Sequence, residues 1–277
     1  MASYLGKEAP NYFLYQNEKG QFSPIIWNLN FIIGTYKNLG RGSDLSVEQL
    51  IELDPFLHID NQLKPLVSKL LNNTKNQKLY RSHLRTLIYD EILSGQFEAR
   101  ARALQEQIKV AFTNDPNRYY DTAAFDKSLV AVIGKVSKVP GIVTFMNERA
   151  RFLKKHPELI YIPSEVSNIT YTQRARFSSK RVQKYQIQAT VSSFTNKVEI
   201  FYRFAEDGSF QQATMEDNGK HNDGESGDNI YGITIRPEGD SGKIQYYIRA
   251  ENPKTFGYLP AKYMHEYQEI SLAELNK

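Results

Sequence analysis

Pro24-Ile25-Ile26-Trp27-Asn28-Leu29-Asn30 is the stretch on which the reading of this chain turns. An apolar run from Phe22 to Trp27 leads directly into two amides separated by one residue. On a strand, residues two positions apart project from one face, so Asn28 and Asn30 are expected to point the same way. Paired carboxylates at that spacing would hold one Mg²⁺ between them, because hard divalent cations take charged oxygen ligands. Amides supply oxygen without charge. The run therefore reads as a metal site from which the charge has been removed.

Upstream lies Asn11-Tyr12-Phe13-Leu14-Tyr15, then a short polar gap and the Pro24–Asn30 run. Together these resemble the spore-coat-protein-H (CotH) kinase-like family. That family reads as an Asn-Tyr-x-Leu-Tyr strand, a hairpin and a Pro-Trp-Asp-x-Asp motif that binds metal and nucleotide phosphates. Asn11 matches the family's Asn, and Asn28 and Asn30 stand where its two Asp residues would be. The resemblance runs through the following helices to about Glu158. It implies Asn11, Asn28 and Asn30 as nucleotide and metal positions, with Mg and ATP as cofactors if the chemistry survives. The family's nucleotide-binding lobe and catalytic Asp lie upstream, and the chain starts only a few residues before Asn11. The expectation is a truncated, catalytically silent relative. An active protein kinase acting on Ser, its front lobe supplied from elsewhere, is the alternative.

With 277 residues, the chain is long enough for about two domains at roughly 100–200 residues each. Its hydrophobic fraction of 40% and charged fraction of 24% are ordinary for a globular protein. A net charge of +4 is too small an excess to argue for nucleic acid or membrane partners. The absence of cysteine excludes disulfides, thiolate metal sites and thiol catalysis. No apolar run approaches the ~20 residues that a membrane-spanning helix needs. Met1-Ala-Ser-Tyr lacks the basic start and apolar core of a signal peptide.

The expected fold is α+β, changing character near Pro157. Residues 1–158 read as a mostly helical unit, the C-terminal part of a kinase-like domain with a β-hairpin at its start. Asn11–Tyr15 and Phe22–Trp27 form the hairpin around a Gly20-containing turn. Ser46-Val-Glu-Gln49 is a capping-box sequence, and Pro55 ends the helix it opens. Further helices are expected over Leu63–Leu71, Asn76–Leu93, Glu98–Phe112, from Asp126 through Val136, and Ile142–Lys155. Leu104, Ile108, Ala111 and Phe112 share one face of the fourth. Arg149, among apolar positions on the last, is expected to be structural.

Residues 160–277 read as an immunoglobulin- or fibronectin-III-like β-sandwich. Tyr185/Ile187/Ala189/Val191, Val198/Ile200/Tyr202/Phe204, Tyr231/Ile233/Ile235 and Ile244/Tyr246/Ile248/Ala250 each alternate with polar residues. The chain's many aromatic residues are expected in this core rather than on a surface.

Between two of these strands lies Asp217-Asn-Gly-Lys-His221-Asn-Asp223-Gly-Glu-Ser-Gly-Asp228. One reading is Ca²⁺ held by Asp217, Asp223 and Asp228. The spacing departs from an EF-hand loop. The other reading is a turn-rich connection whose Asp and Asn side chains bond backbone and whose Gly residues supply positive φ. His221 then serves as a loop hydrogen bonder. Arg174, Arg176, Lys180, Arg181 and Lys184 form a basic stretch, read as solvated charge guarding a strand edge.

No Gly-rich phosphate loop, His-Glu-x-x-His or Gly-x-Ser-x-Gly motif occurs. The functional expectation is a binding or scaffolding module of a bacterial envelope or a secreted protein, with a surface protein or glycan as partner. Adhesion through the β-sandwich is a third reading. An isolated hairpin is marginal in water, so self-association through residues 11–27 is expected.

Overall fold

The computed structural model describes residues 13–18, 20–25, 29, 32–39, 44–135, 138–175, 182–206, 208–236 and 243–271. Asn11, Trp27, Asn28 and Asn30 lie outside these residues, as do Val136 and Arg176–Arg181 of the basic stretch. The chain forms two compact units. One comprises Met1–Gln77 with Leu84–Ile160, the other Lys78–His83 with Tyr161–Lys277.

The first unit opens with strands β1 (Phe13–Gln16) and β2 (Phe22–Ile25), paired antiparallel with Leu14 opposite Pro24. Its turn is closed by Asn17, whose amide nitrogen donates to the Gln21 carbonyl at 3.0 Å while its side-chain oxygen accepts from Gln21 N at 2.9 Å. Every strand residue of the hairpin is exposed.

Six α-helices follow among the described residues: α1 (Val47–Ile51), α2 (Pro65–Leu71), α3 (Thr74–Thr86), α4 (Gln96–Asn114), α5 (Thr122–Lys127) and α6 (Ile142–Lys154). The capping box at α1 forms as expected: Gln49 N donates to Ser46 Oγ at 3.2 Å and Ser46 N to Gln49 Oε1 at 2.8 Å. Pro65 occupies the first turn of α2, where its missing N–H costs nothing.

Helix α3 does not run on regularly to Leu93. It passes into a π-helical turn, Leu87–Ile92, marked by a Leu93 N to Ile88 O bond of 2.9 Å, and Gly95 stops it at φ +86°. The extra residue rotates the apolar stripe. Ile88 and Ile92 are buried, whereas Leu87 is turned outward.

Two expectations fail in this unit. Leu104 and Ile108 of α4 are exposed at 50% and 51%, and no residue of that helix is buried. The helix engages through other positions: Phe97 packs against the Ile88–Leu159 cluster, Gln105 donates to the Phe125 carbonyl at 2.7 Å, and Phe112 stacks on Phe125 at 4.3 Å. The helix expected from Asp126 is instead the short α5. It is capped by Asp121, whose carboxylate accepts from Ala124 N at 2.7 Å, and Asp126 lies inside it. Beyond Ser128 the backbone turns into an isolated bridge between Ile133 and Val139, because β-branched Val130, Val132 and Ile133 favour extended backbone.

Helix α6 carries the unit's core. Phe145 joins Leu39, Leu45, Leu50 and Leu53; one turn on, Ala150 and Leu153 join Ile88, Ile92 and Leu159. Arg149 donates to the Ile51 carbonyl at 2.7 Å and lies over Phe152, the structural role expected of it.

The second unit is β-rich. Strands β3 (Val166–Ala175), β4 (Val182–Val191) and β7 (Ile230–Ile235) form one antiparallel sheet in the order β3-β4-β7. Strands β5 (Lys197–Arg203), β6 (Gln211–Met215), β8 (Lys243–Glu251), β9 (Phe256–Leu259) and β10 (Gln268–Ser271) form the other. Its order is β10-β8-β5-β6, with β9 on the same edge of β8 as β10. Tyr185, Ile187 and Ile233 from the first sheet and Val198, Ile200, Ile244 and Ile248 from the second belong to one buried cluster. The inward residues are those picked out by alternation in the sequence.

Candidate functional site

The inward residues of the five-stranded sheet leave an equally ordered set on its other face, because side chains alternate along a strand. Strand register lines these up as rungs across the sheet. Lys197, Glu251 and Phe256 form one rung, and Glu199, Arg249 and Tyr258 the next. Phe201 and Tyr247 follow, and then Arg203, Gln245 and Glu269. Successive rungs are about 7 Å apart, two residues of strand rise.

Apart from exposed Lys197, the first two rungs are largely covered. Glu199 is 1% exposed, Arg249 7% and Phe256 2%. Arg249 donates to Glu199 Oε2 from Nε at 3.1 Å and from Nη2 at 2.5 Å, with its guanidinium 4.8 Å from the Phe201 and Phe256 ring centres. Lys197 Nζ lies 2.7 Å from the other Glu199 oxygen, which also accepts from Gln212 at 2.5 Å. Burial works to raise the pKa of Glu199, but these donors and the two cations bring it below the ordinary carboxylate value. The helical stretch Lys78–His83, part of this unit, lies over these rungs. Lys78 pairs with Glu251 at 2.6 Å, and Ser82 Oγ exchanges hydrogen bonds with the Phe256 backbone at 2.8 and 2.9 Å.

The remaining rungs are partly buried, except for exposed Glu269, and rich in rings. Phe201 and Tyr247 stack at 4.7 Å with planes 4° apart. Tyr263 packs 4.7 Å from Tyr247 and 4.1 Å from Tyr258, and Phe210 stands edge-on to Tyr247 at 5.3 Å. Burial, reinforced by Tyr263, pushes the Tyr247 phenol up to about 12. Tyr258 is raised further, again by burial first, and its hydroxyl makes no hydrogen bond of normal geometry. These phenols stay protonated at neutral pH. His83, stacked on Tyr258 and Tyr263, has its pKa lowered by burial.

Beside the rings runs a polar row. Arg203 Nε donates to Gln245 Oε1 at 3.0 Å, Gln245 Nε2 donates to Glu269 Oε2 at 3.0 Å, and Lys243 lies 3.2 Å from Glu269 and also pairs with Glu206. The Arg203 guanidinium stacks over Phe210 at 4.6 Å and Tyr267 at 4.9 Å. The result is a partly buried cluster of packed rings bordered by fixed donors and acceptors. Binding sites commonly combine apolar walls with a few oriented polar groups in this way.

Sequence reasoning missed this face. It assigned the aromatics to the core, which holds for Tyr185 and Tyr246 but not for Phe201, Tyr247, Tyr258, Tyr263 or Tyr267. The available signal was phase: Phe201 and Arg203 alternate with core residues Ile200 and Tyr202, as Tyr247 and Arg249 do with Tyr246 and Ile248.

The acidic loop is built differently. Asp217 accepts from the backbone nitrogens of Gly227, Asp228 and Asn229 at 2.7, 3.3 and 2.9 Å. Asp223, fully buried, accepts from Asn218, Gly219 and His221 at 3.0, 3.1 and 2.7 Å. Burial opposes its ionisation, but these N–H groups carry its pKa below the usual value. Asp228 accepts from Glu225 and Ile230, each at 2.9 Å. His221 Nδ1 lies 3.1 Å from Thr234 Oγ1. Each carboxylate thus serves its own cluster of backbone donors. Among the described residues no group of three or more His, Asp or Glu is arranged to hold a metal ion.

Comparison with protein families decides the front of the chain. The model of the CotH family, described as CotH kinase protein, matches residues 5–153, more than half of the chain. The chain belongs to the CotH kinase family. The CotH match spans the hairpin and the helices from α1 into the last turn of α6, and includes the positions of Asn11, Asn28 and Asn30.

No curated protein matches this CotH-family chain. Among solved structures, a Br derivative of BhCBM56 is similar at 10% identity and a TM-score of 0.25, covering 37% of this chain and 90% of that one. A carbohydrate-binding module family 56 β-1,3-glucan binding domain is similar at 14% identity and a TM-score of 0.23, covering 38% of this chain and 99% of that one. No helix among the described residues is long and apolar enough to cross a membrane.

Proposed function

We propose that this CotH-family chain is a binding module of a bacterial envelope or surface protein and that the kinase chemistry its family implies is silent in it. The observation that carries the reading is the partly buried ring cluster of Phe201, Tyr247 and Tyr263 on the outer face of the sheet, beside the Arg203–Gln245–Glu269 row. A sheet face built only for solvation would carry scattered charges rather than stacked rings held by cross-strand partners. The reading takes the second unit as a fibronectin-III-like sandwich. Support for that lies in the strand order, three strands β3-β4-β7 against β6-β5-β8 with a last strand split into β9 and β10. Its partner is a surface glycan or protein.

Silence of the front unit rests on composition at the family positions. Asn28 and Asn30 bring no negative charge, so Mg²⁺ and a triphosphate lose most of their electrostatic anchor. The loop carboxylates of Asp217, Asp223 and Asp228 already receive backbone N–H groups, which supports a self-ordered turn in place of a Ca²⁺ site. The exposed hairpin is proposed as a self-association surface.

The family match favours one rival, a phosphoryl-transfer site completed by further chain. Calorimetric titration of the chain with Mg·ATP separates the two. No resolvable heat is expected, with affinity gained on restoring charge as Asn28→Asp/Asn30→Asp. Micromolar binding by the unaltered chain contradicts the silent reading.

A further inference from the structure

We propose that β3 of the second unit pairs with β3 of a second copy of this chain, antiparallel and centred on Thr172, so that two three-stranded sheets join into one of six strands. The surface is distinct from the hairpin of the first unit and from the outer face of the five-stranded sheet. It does not depend on the binding-module reading.

The first observation is an open edge. Among the described residues β3 pairs with β4 alone and ends its sheet. The other end of that sheet, β7, is bridged by Glu216, whose N–H donates to the Gly232 carbonyl at 2.9 Å and whose carbonyl accepts from Gly232 N at 2.8 Å. An edge strand is normally blunted by charge, proline or a bulge. Ile169-Thr170-Tyr171-Thr172-Gln173 carries neither charge nor proline, and the basic residues begin only at Arg174. The register with β4 shifts between Ser167 and Thr170 and again between Arg174 and Ala175, which leaves Thr170–Arg174 as a regular ladder with a free outer edge. Its β-branched and aromatic residues suit extended backbone.

The second observation is an uncovered core position. Tyr171 stands opposite Ile187, which stands opposite Ile233. Ile187 is 0% exposed and Ile233 9%, but Tyr171, the last member of this inward row, is 44% exposed. A further strand beside β3 would cover it.

The third observation selects a second copy as that strand. A two-fold interface must be self-complementary, and this stretch is. Pairing centred on Thr172 uses the whole regular ladder. Thr172 meets Thr172 of the second copy, a favourable cross-strand pair. Tyr171 meets Gln173 and Thr170 meets position 174, each twice over. The only charge in the ladder thus faces a neutral residue, and the two copies of position 174 lie about 13 Å apart along the strand, beyond the ~8 Å screening length. A strand pair of this length buries less than the roughly 800 Å² per partner of a stable interface, so the dimer is weak, with an expected Kd of roughly 0.1–1 mM.

The chain contains no cysteine, so a single introduced one reports contact between copies. Thr172→Cys faces its own counterpart with Cα atoms about 4.5–5.5 Å apart, within the roughly 4.4–6.8 Å over which a disulfide closes. Thr170→Cys is an exposed control on the same edge whose counterpart is about 13 Å away along the strand. Both are made in the Phe13→Lys/Tyr15→Lys background, which disables the hairpin. Under mild oxidation Thr172→Cys is expected to form a disulfide-linked dimer about tenfold faster than Thr170→Cys, read on non-reducing gels. Sedimentation equilibrium of the cysteine-free background is expected to show the weak dimer, and Tyr171→Lys is expected to weaken it about tenfold. Circular dichroism melts verify that the variants fold. Similar cross-linking of the two cysteine variants, a strict monomer at millimolar concentration or a dimer indifferent to Tyr171→Lys each overturns the inference and leaves the binding-module reading untouched.

Discussion

Glu199 shows how single residues underlie the proposed site. It is almost fully buried, yet it is held ionised by Arg249, Lys197 and Gln212. A buried charge with good partners mainly fixes geometry, whereas removing one partner leaves the other stranded. Glu199→Gln is expected to cost about 3 kcal/mol at pH 7, because Arg249 is left buried without its counter-charge. The pH dependence follows from the lowered folded-state pKa. A carboxyl depressed on folding stabilises above its unfolded value of about 4.3 and loses that contribution as pH falls through the folded value. The stability gap between wild type and Glu199→Gln should therefore hold from pH 7 to about 5 and narrow below about 4, as read by urea unfolding. A gap independent of pH would mean that the charge of Glu199 does no stabilising work. Asp217 and Asp223 teach a complementary point. Sequence left them open between cation ligands and turn formers, because an Asp surrounded by Gly and Asn suits either role. Only the fold shows which N–H groups surround each oxygen.

Among the elements, regular segments with a single local cause were legible. Ser46 and Gln49 cap α1, Pro65 opens α2, and Gly95 ends the helical run, each as the residue type dictates. The alternating strands of the second unit were equally plain. Where reading failed, tertiary context decided. The Leu104–Ile108 face of α4 looks like a core stripe but is exposed, since amphipathic spacing marks a face that can be buried and does not supply a partner. The π-helical turn after α3 has no sequence signature and shifts Leu87 out of its stripe. The hairpin β1–β2 is the element whose exposure demands most. Tyr15 and Phe22 are exposed at 58% and 64%, and Pro24 lies opposite Leu14. Proline blunts the edge of its own strand, leaving β1 as the edge better able to pair. Self-association that grows with concentration is expected in static light scattering and is expected to weaken in Phe13→Lys/Tyr15→Lys. A strict monomer at millimolar concentration contradicts it.

For the molecule as a whole, the family resemblance carried by Asn11 through Asn30 was readable from a few residues, and the family match over residues 5–153 bears it out. The aromatic face of the second unit was not readable in the same way. The alternation that defines a sheet core defines its opposite face as well, and aromatic residues of either phase look alike until register brings Phe201 beside Tyr247 and Arg203 beside Gln245. The proposed binding function belongs to that face, and the proposed silence of the kinase chemistry to the uncharged Asn positions. Hydrogen–deuterium exchange on the intact chain, with and without Mg·ATP, tests the silence of the kinase chemistry most directly. Unchanged exchange is predicted throughout the helical unit. Protection of the helical unit by Mg·ATP would contradict it.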